Sequence, residues 1–218
     1  MTAMVPNVIH HIVGPKGNGL TDRCLNSWQI LKDFDFEIRV WTDESITEFI
    51  SEYHPFALAA FLNARNHAEA ADIARYLIVH EFGGYYMDWD VQLIDLAKFL
   101  TIVENFSSGY LIQDPINHTL ASEAFSALKH EQFLLGLVDN IVFIFNNNFR
   151  DILQTPQYSG PYRMRDYYYF CKKKTKQRII KVKDIFLYDY TEIRDMPTKT
   201  TKTAMIHYWM HSWIPAIK

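Results

Sequence analysis

Between His67 and Asp90 the chain sets an apolar helix pattern against two glycines, a short aromatic strand and a pair of aspartates. Ala70, Ile73, Ala74, Leu77 and Ile78 recur at helical spacing, which predicts a helix over 67–82. Gly83-Gly84 closes it, because glycine takes the left-handed position past a helix end at little cost. Tyr85-Tyr86-Met87 reads as a short strand that runs straight into Asp88-Trp89-Asp90. Upstream, Val8 to Val13 is a β-branched run that reads as a buried first strand, followed by the loop Gly14 to Gly19. Thr21 or Asp22 caps a helix to about Lys32, Phe36 to Trp41 alternates as a second strand, and Ser45 to Arg65 reads as helix interrupted at Pro55. This β-α-β-α order predicts an α/β fold with a mainly parallel central sheet flanked by helices.

The rest of the chain is read more coarsely. Leu120–Lys129 and Glu131–Phe145 read as helices, Ser159-Gly160-Pro161 as a turn, and Ile179–Leu187 and Ala204–Trp209 as strands. There is no internal repeat and no low-complexity linker, so residues 1–218 are expected to form one domain, a size that buries a core without staples. A net charge of −3 offers no general attraction for nucleic acid. Two distant cysteines, Cys24 and Cys171, argue against a zinc cluster or disulfide framework and for a reducing compartment. The first residues lack a basic stretch and a long apolar run, and Phe133–Phe145 is too short to span a bilayer. A soluble, cytoplasmic protein is expected, working near an inner membrane; a secreted effector stays open.

Two carboxylates two residues apart at a strand end suit a Mg²⁺ or Mn²⁺ ion, which takes oxygen ligands and shares them with a diphosphate. The motif alone is weak. With fifteen aspartates, roughly one D-x-D is expected by chance. A second copy, Asp33-Phe34-Asp35, sits in a polar turn and reads as solvated loop. The Asp88 copy instead lies at the carboxyl end of a buried strand, where open α/β sheets bind ligands.

Asp72, Arg75, Gly83, Gly84, Tyr86, Asp88 and Asp90 fill seven positions over nineteen residues of a pattern that resembles glycosyltransferase family 32, roughly SDxxRxxxLxxxGGxYxDxD. Val5 to Ile12 is similar to the family's opening IPKIIHxIW, Trp41-Thr42-Asp43-Glu44 to its WTDE, Ser159-Gly160-Pro161 to its TGP turn, and His207 to Trp213 to its closing HxWxxSW. The resemblance implies a GT-A-type fold and retaining transfer of a hexose from a UDP- or GDP-linked sugar, with Mn²⁺ or Mg²⁺ as cofactor. The acceptor would be a hydroxyl on a saccharide, lipid-linked glycan or protein.

It also implies roles. Asp72, Arg75 and Asp90 would carry the chemistry. Asp88, Asp90 and His207 would hold the metal, with His211 competing. Ile12, Val13, Asp72, Arg75, Tyr86, Asp88, Ser212 and Trp213 would bind the donor, the last two through hydroxyl and indole donors to the diphosphate. Val13 stands where the family usually places an aromatic, and Ala71 where it places serine. By spacing alone, Asp72 and Arg75 also suit an ordinary surface ion pair, and Tyr86 the core.

Lys172–Lys183 suits a solvated loop and edge strand, or a contact with an anionic membrane or acidic acceptor. Two other classes compete: a metal-dependent phosphoester hydrolase, which should carry more clustered Asp and His, and a non-catalytic glycan- or membrane-binding module, which leaves the four-residue Asp/Arg set unexplained.

Overall fold

The computed structural model describes residues 3–14, 17–170, 175–199 and 203–210. A six-stranded sheet runs through it in the order β2 (Glu37–Trp41), β1 (Val8–Ile12), β3 (Gly84–Met87), β6 (Thr119–Ala127), β5 (Gly109–Asp114), β7 (Arg178–Lys181). Pairing is parallel for β1 with β2 and β3 and for β5 with β7, and antiparallel on both sides of β6. Five strands therefore share one direction and only β6 opposes them. The expected α/β architecture is present. A separate two-stranded ribbon joins β4 (Val91–Leu93) to β8 (Met205–His207).

Helices cover both faces. On one side α2 (Asp43–Tyr53), α3 (Pro55–Leu62), α4 (His67–Phe82), α6 (Gln132–Asn146) and α8 (Pro161–Phe170) bury Ile50, Leu77, Phe125, Leu137 and Met164. On the other, Trp28, Phe99, Tyr110 and Phe186 pack with α1 (Gly19–Ser27), α5 (Leu96–Asn105) and α9 (Val182–Ile185). α7 (Thr155–Tyr158) is a single turn before α8. The helix predicted over 67–82 matches α4 end for end. It is buried nearly all round, so it needs apolar residues beyond one stripe.

The link from α4 to β3 depends on glycine. Gly83 has φ +67° and Gly84 φ +99°, and a Cβ on Gly84 would lie 2.5 Å from the Val8 carbonyl oxygen. Two buried histidines of β1 brace the strand so formed. His10 donates from Nε2 to the Gly83 carbonyl (3.0 Å) and accepts from Trp41 Nε1 at Nδ1 (3.2 Å). His11 donates from Nδ1 to the Met87 carbonyl (2.9 Å). Burial pushes their pKa values down to about 3 and about 4, so both imidazoles are neutral.

Several local expectations need correction. Residues 120–127 belong to strand β6 and 128–129 to the turn after it, so the stretch 120–129 is not helix. Leu, Ala and Glu there favour a helix, but the segment is sandwiched between β3 and β5 and buried on both faces, and tertiary context overrides propensity. The first helix is capped by Asn18, whose side chain accepts from the Leu20 and Thr21 amides, and past Ser27 it continues as a 3-10 turn, Gln29–Phe34. The strand predicted over 179–187 is only the four residues of β7, after which the chain turns into α9. Strands β4 and β5 and helix α8 were not expected. Among the described residues no helix is long and apolar enough to cross a membrane.

Candidate active site

The carboxyl ends of β1 and β3 open into a cavity of about 320 Å³. Its wall includes Ile12, Asp72, Arg75, Tyr86, Trp89, Ser122 and Tyr162, and its floor Asp88, Asp90, Glu123 and His207. Polar groups interleaved with aromatic faces suit a sugar, which offers hydroxyls at its edge and C–H groups on its faces.

Arg75 organises the wall. Its side chain is 6% exposed and nearly all of its donors face an acceptor. Nε donates to the Ala71 carbonyl (3.2 Å) and Nη1 to the Ser122 carbonyl (2.8 Å). Nη1 lies 3.3 Å from Asp88 Oδ1 and Nη2 lies 3.5 Å from Asp72 Oδ1. The guanidinium sits 4.8 Å above the Tyr86 ring, a cation–π contact. Burial alone would depress its pKa, but Asp88, Tyr86 and Asp72 raise it, so its charge is fixed. The Asp72–Arg75 pair is thus buried rather than the surface pair that spacing alone allowed.

Asp72 Oδ2 accepts from Ser159 Oγ at 2.8 Å, and Tyr76 OH donates to the Ser159 carbonyl at 3.0 Å. The Ser159-Gly160-Pro161 turn is therefore stitched to α4. Burial raises the Asp72 pKa to about 6, with Arg75 and Ser159 opposing.

Tyr86 OH donates to Asp88 Oδ1 at 2.6 Å, as two residues on one strand face should. Burial raises the Asp88 pKa, Arg75 opposes this, and Asp90 adds to it. Asp90 Oδ2 accepts from the Met210 amide at 2.9 Å, and Oδ1 lies 3.2 Å from His207 Nε2. The β4–β8 ribbon makes this contact, because its register sets Val91 opposite His207.

Glu123 is the residue that sequence reasoning missed. Its Oε1 lies 3.5 Å from His207 Nδ1, and its backbone carbonyl accepts from the Asp88 amide at 2.8 Å. His207 thus stands between two carboxylates, with the Trp209 ring 4.1 Å away. Burial would lower its pKa, but Asp90 and Glu123 raise it to about 10. Burial likewise opposes the charges of Asp90 and Glu123, and His207 outweighs it, holding both below the usual carboxylate range. A single charged residue in the stretch Thr119–Ala127, otherwise built of apolar and hydroxyl side chains, was the available signal for Glu123. The helix assignment to 120–129 hid it.

Ligand atoms of Asp88, Asp90 and His207 lie within 4.8 Å of one another. The set fits a divalent cation: two carboxylates, one imidazole, and a buried His207 Nδ1 that makes no hydrogen bond although Glu123 is beside it. With an ion on Nε2, Nδ1–H would face Glu123, the carboxylate–histidine–metal arrangement that orients metal-bound histidines. Ile12 lines the cavity and Val13 does not; Val13 is tied to β2 through its amide and the Trp41 carbonyl (3.0 Å). His211, Ser212 and Trp213 lie outside the described residues. Asp33, Phe34 and Asp35 are exposed at the end of the 3-10 turn, as expected for a solvated loop.

A family model described as glycosyltransferase sugar-binding region containing DXD motif matches residues 21–106. The chain is 28% identical to inositol phosphoceramide mannosyltransferase 3 of Schizosaccharomyces pombe over 151 residues, which cover 68% of this chain and 40% of that protein. It is 34% identical over 137 residues to the mannosyl phosphorylinositol ceramide synthase SUR1 of Saccharomyces cerevisiae, covering 58% of this chain and 35% of that one. It is 24% identical over 230 residues to an uncharacterized glycosyltransferase, L373, of Acanthamoeba polyphaga mimivirus, covering 99% and 86%. The matched chain thus spans about 40% of the length of the first fungal relative. Among solved structures, the PaToxG glycosyltransferase superposes with a TM-score of 0.56 at 14% identity over 76% of this chain and 69% of that one. A glycosyltransferase involved in glycosylating the major capsid of PBCV-1 gives 0.50 at 12% identity, over 93% of each chain. These likenesses bear out the resemblance read from the sequence, and the fold is that of GT-A glycosyltransferases.

Proposed function

We propose that this chain, which carries the DXD-containing sugar-binding region of glycosyltransferases, transfers a hexose from a nucleotide diphosphate sugar to an acceptor hydroxyl with a divalent cation. The observation that carries this reading is the convergence of Asp88, Asp90 and His207 at the floor of a cavity whose wall is the buried Asp72–Arg75 pair. Mn²⁺ or Mg²⁺ held by Asp88, Asp90 and His207 would neutralise charge on the departing diphosphate.

The protein's own residues supply the rest. Arg75 presents a permanent charge beside Asp88, with its fork held by the Ala71 and Ser122 carbonyls, so little reorganisation is needed as negative charge develops. Asp72, anchored by Ser159, is an acceptor aimed at sugar hydroxyls. Tyr86 orients the Asp88 carboxylate, and Glu123 keeps His207 in place. The Trp209 ring lies tilted against His207, with centroids 4.1 Å apart, and lines the same cavity. Retention would follow a front-face path, with the leaving phosphate taking the acceptor's proton.

Mannose from a UDP- or GDP-linked donor is the first hexose to test, since both fungal relatives are named for mannosyl transfer. A lipid-linked or other glycan, or a protein, would supply the hydroxyl. Exposed Arg178, Ile179 and Lys181 on edge strand β7 suit contact with an anionic surface. Thermal-shift screening of nucleotides with and without Mn²⁺, followed by mass spectrometry of a nucleotide-sugar panel, tests the reading. Metal-dependent stabilisation by a nucleoside diphosphate and cleavage of one donor are expected. Equal stabilisation without metal, or no cleavage of any donor, would overturn it.

A further inference from the structure

About one and a half turns beyond Arg75, the carboxyl end of α4 carries a second group of metal-ligating side chains. One ligand atom each from His80, Glu81 and His130 lie within 4.8 Å of one another. A fourth group borders them. His54, between α2 and α3, places Nε2 3.5 Å from Glu81 Oε2. That nitrogen is buried and makes no hydrogen bond, in a residue only 6% exposed. The His80 ring centroid lies 5.9 Å from that of His54 and 5.6 Å from that of His130.

We propose that His54, His80, Glu81 and His130 form a zinc-type metal site, separate from the donor site, that clips three parts of the fold together. His80 is already in the ligating tautomer. Its Nδ1 donates to the Glu131 carbonyl (3.0 Å), which leaves Nε2 as the nitrogen available to ligate. Three imidazoles and one carboxylate suit zinc or a similar transition ion, whereas the carboxylate-rich donor site suits Mg²⁺ or Mn²⁺. Bonds of about 2.0–2.1 Å to a tetrahedral ion set ligand atoms roughly 3.3 Å apart. The His54–Glu81 spacing of 3.5 Å nearly meets this, and the ligand atoms of His80, Glu81 and His130, within 4.8 Å of one another, would close by at most about 1.5 Å. His130 is exposed and gives an ion a way in.

The site would join the α2–α3 junction, the end of α4 and the β6–α6 turn. His130 holds that turn with φ +62°, and its amide donates to the His80 carbonyl at 2.6 Å. Gly83 follows three residues after His80, so the clip would stiffen the same hinge that sets Asp88 and Asp90.

The test uses tag-free full chain stripped with a chelator, then titrated with Zn²⁺ alone against a chromogenic competitor. The double variant Asp88→Asn/Asp90→Asn removes the donor site. It is expected to keep one tight zinc per chain and a zinc-dependent rise in Tm. Adding His130→Ala or Glu81→Gln should weaken that zinc at least tenfold and remove the rise. Cobalt in place of zinc should give the intense visible bands of a tetrahedral ion in the double variant, lost with His130→Ala. No zinc in the double variant, or unchanged affinity in both added variants, overturns the proposal. His130 is exposed, so its variant should fold. Should circular dichroism show otherwise, the Glu81→Gln result decides.

Discussion

The chain spells D-x-D twice, and the two copies meet opposite fates. Asp33-Phe34-Asp35 ends a 3-10 turn in water, with all three residues exposed and Asp35 in the left-handed region at φ +59°. Asp88-Trp89-Asp90 ends a buried strand and is surrounded by Arg75, Tyr86, Glu123 and His207. The letters are the same, so the difference lies in what packs around them. Exposed carboxylates keep their own hydration. Buried ones must be balanced, and the balancing groups are what make a site.

Breaking that balance at the proposed metal site should have the largest effect. Asp90→Asn keeps the shape but removes a charge ligand, and metal-dependent donor hydrolysis should fall at least ~10³-fold. Asp33→Asn and Asp35→Asn should stay within about twofold of the parent in the same assay. Near-full activity in Asp90→Asn would remove the distinction between the copies.

Next comes the cation that Asp88 has and the Asp33 copy lacks. Arg75→Met leaves Asp72 and Asp88 buried without their partner. Breaking a buried pair this way costs about 3–5 kcal/mol, so the chemical-denaturation midpoint should drop sharply. Arg39→Met, which breaks the more exposed pair with Glu37 (2.6 Å), should cost no more than about 1 kcal/mol.

Glu123→Gln tests the support beneath the proposed metal site. Losing a carboxylate that orients a ligating histidine typically weakens metal affinity about 10–100-fold. Manganese titration of the variant should show this with the fold intact. Unchanged affinity would mean that Glu123 only fills space.

The contrast also shows what could be read in advance. The α4 helix, its glycine hinge and the strand beneath the second copy were legible, because periodicity, capping and the buried β pattern agree there. The exposed fate of Asp33 was legible too, from its polar turn. Asp72, Arg75, Asp88, Asp90 and His207, all singled out from the sequence, line one cavity although they come from α4, the β3 end and β8. Glu123 was not, because β6 is built from helix formers whose strand state is imposed by β3 and β5. Ribbon β4–β8 was half legible: β8 was anticipated, but its three-residue partner is too short to show a period. The His54–His80–Glu81–His130 cluster has no local signature at all, since its members come from three segments brought together by packing.

A pH profile sharpens the comparison without altering Asp88 or Asp90. Burial holds Asp72 protonated up to about pH 6, well above its unfolded value of 3.8. A carboxylate raised on folding destabilises the native state above its folded pKa. That cost is full above about pH 6, fades as pH falls, and is gone below about 4. Activity should move the other way, because in the proposed reading only ionised Asp72 accepts from the sugar, and only the ionised form pairs with Arg75. Donor hydrolysis should decline below about pH 6, approaching tenfold per pH unit, and Asp72→Asn should be slow at all pH with that limb missing. The same limb in the variant would assign it elsewhere.

The smallest effect belongs to the exposed copy. Asp35 occupies a left-handed conformation that costs an L-residue energy and glycine none. It contributes no charge to the cavity, so nothing in the site depends on its carboxylate. Asp35→Gly relieves the strain but loosens the unfolded chain, and the two effects nearly cancel. The net change should lie within about 1 kcal/mol, with donor hydrolysis unaltered. Gly84→Ala, at φ +99° beneath the other copy, should instead cost several times more, because its Cβ would meet the Val8 carbonyl oxygen at 2.5 Å. Denaturation curves for the two variants measure the contrast directly. Similar costs would mean that backbone strain, rather than packing against neighbours, governs both turns.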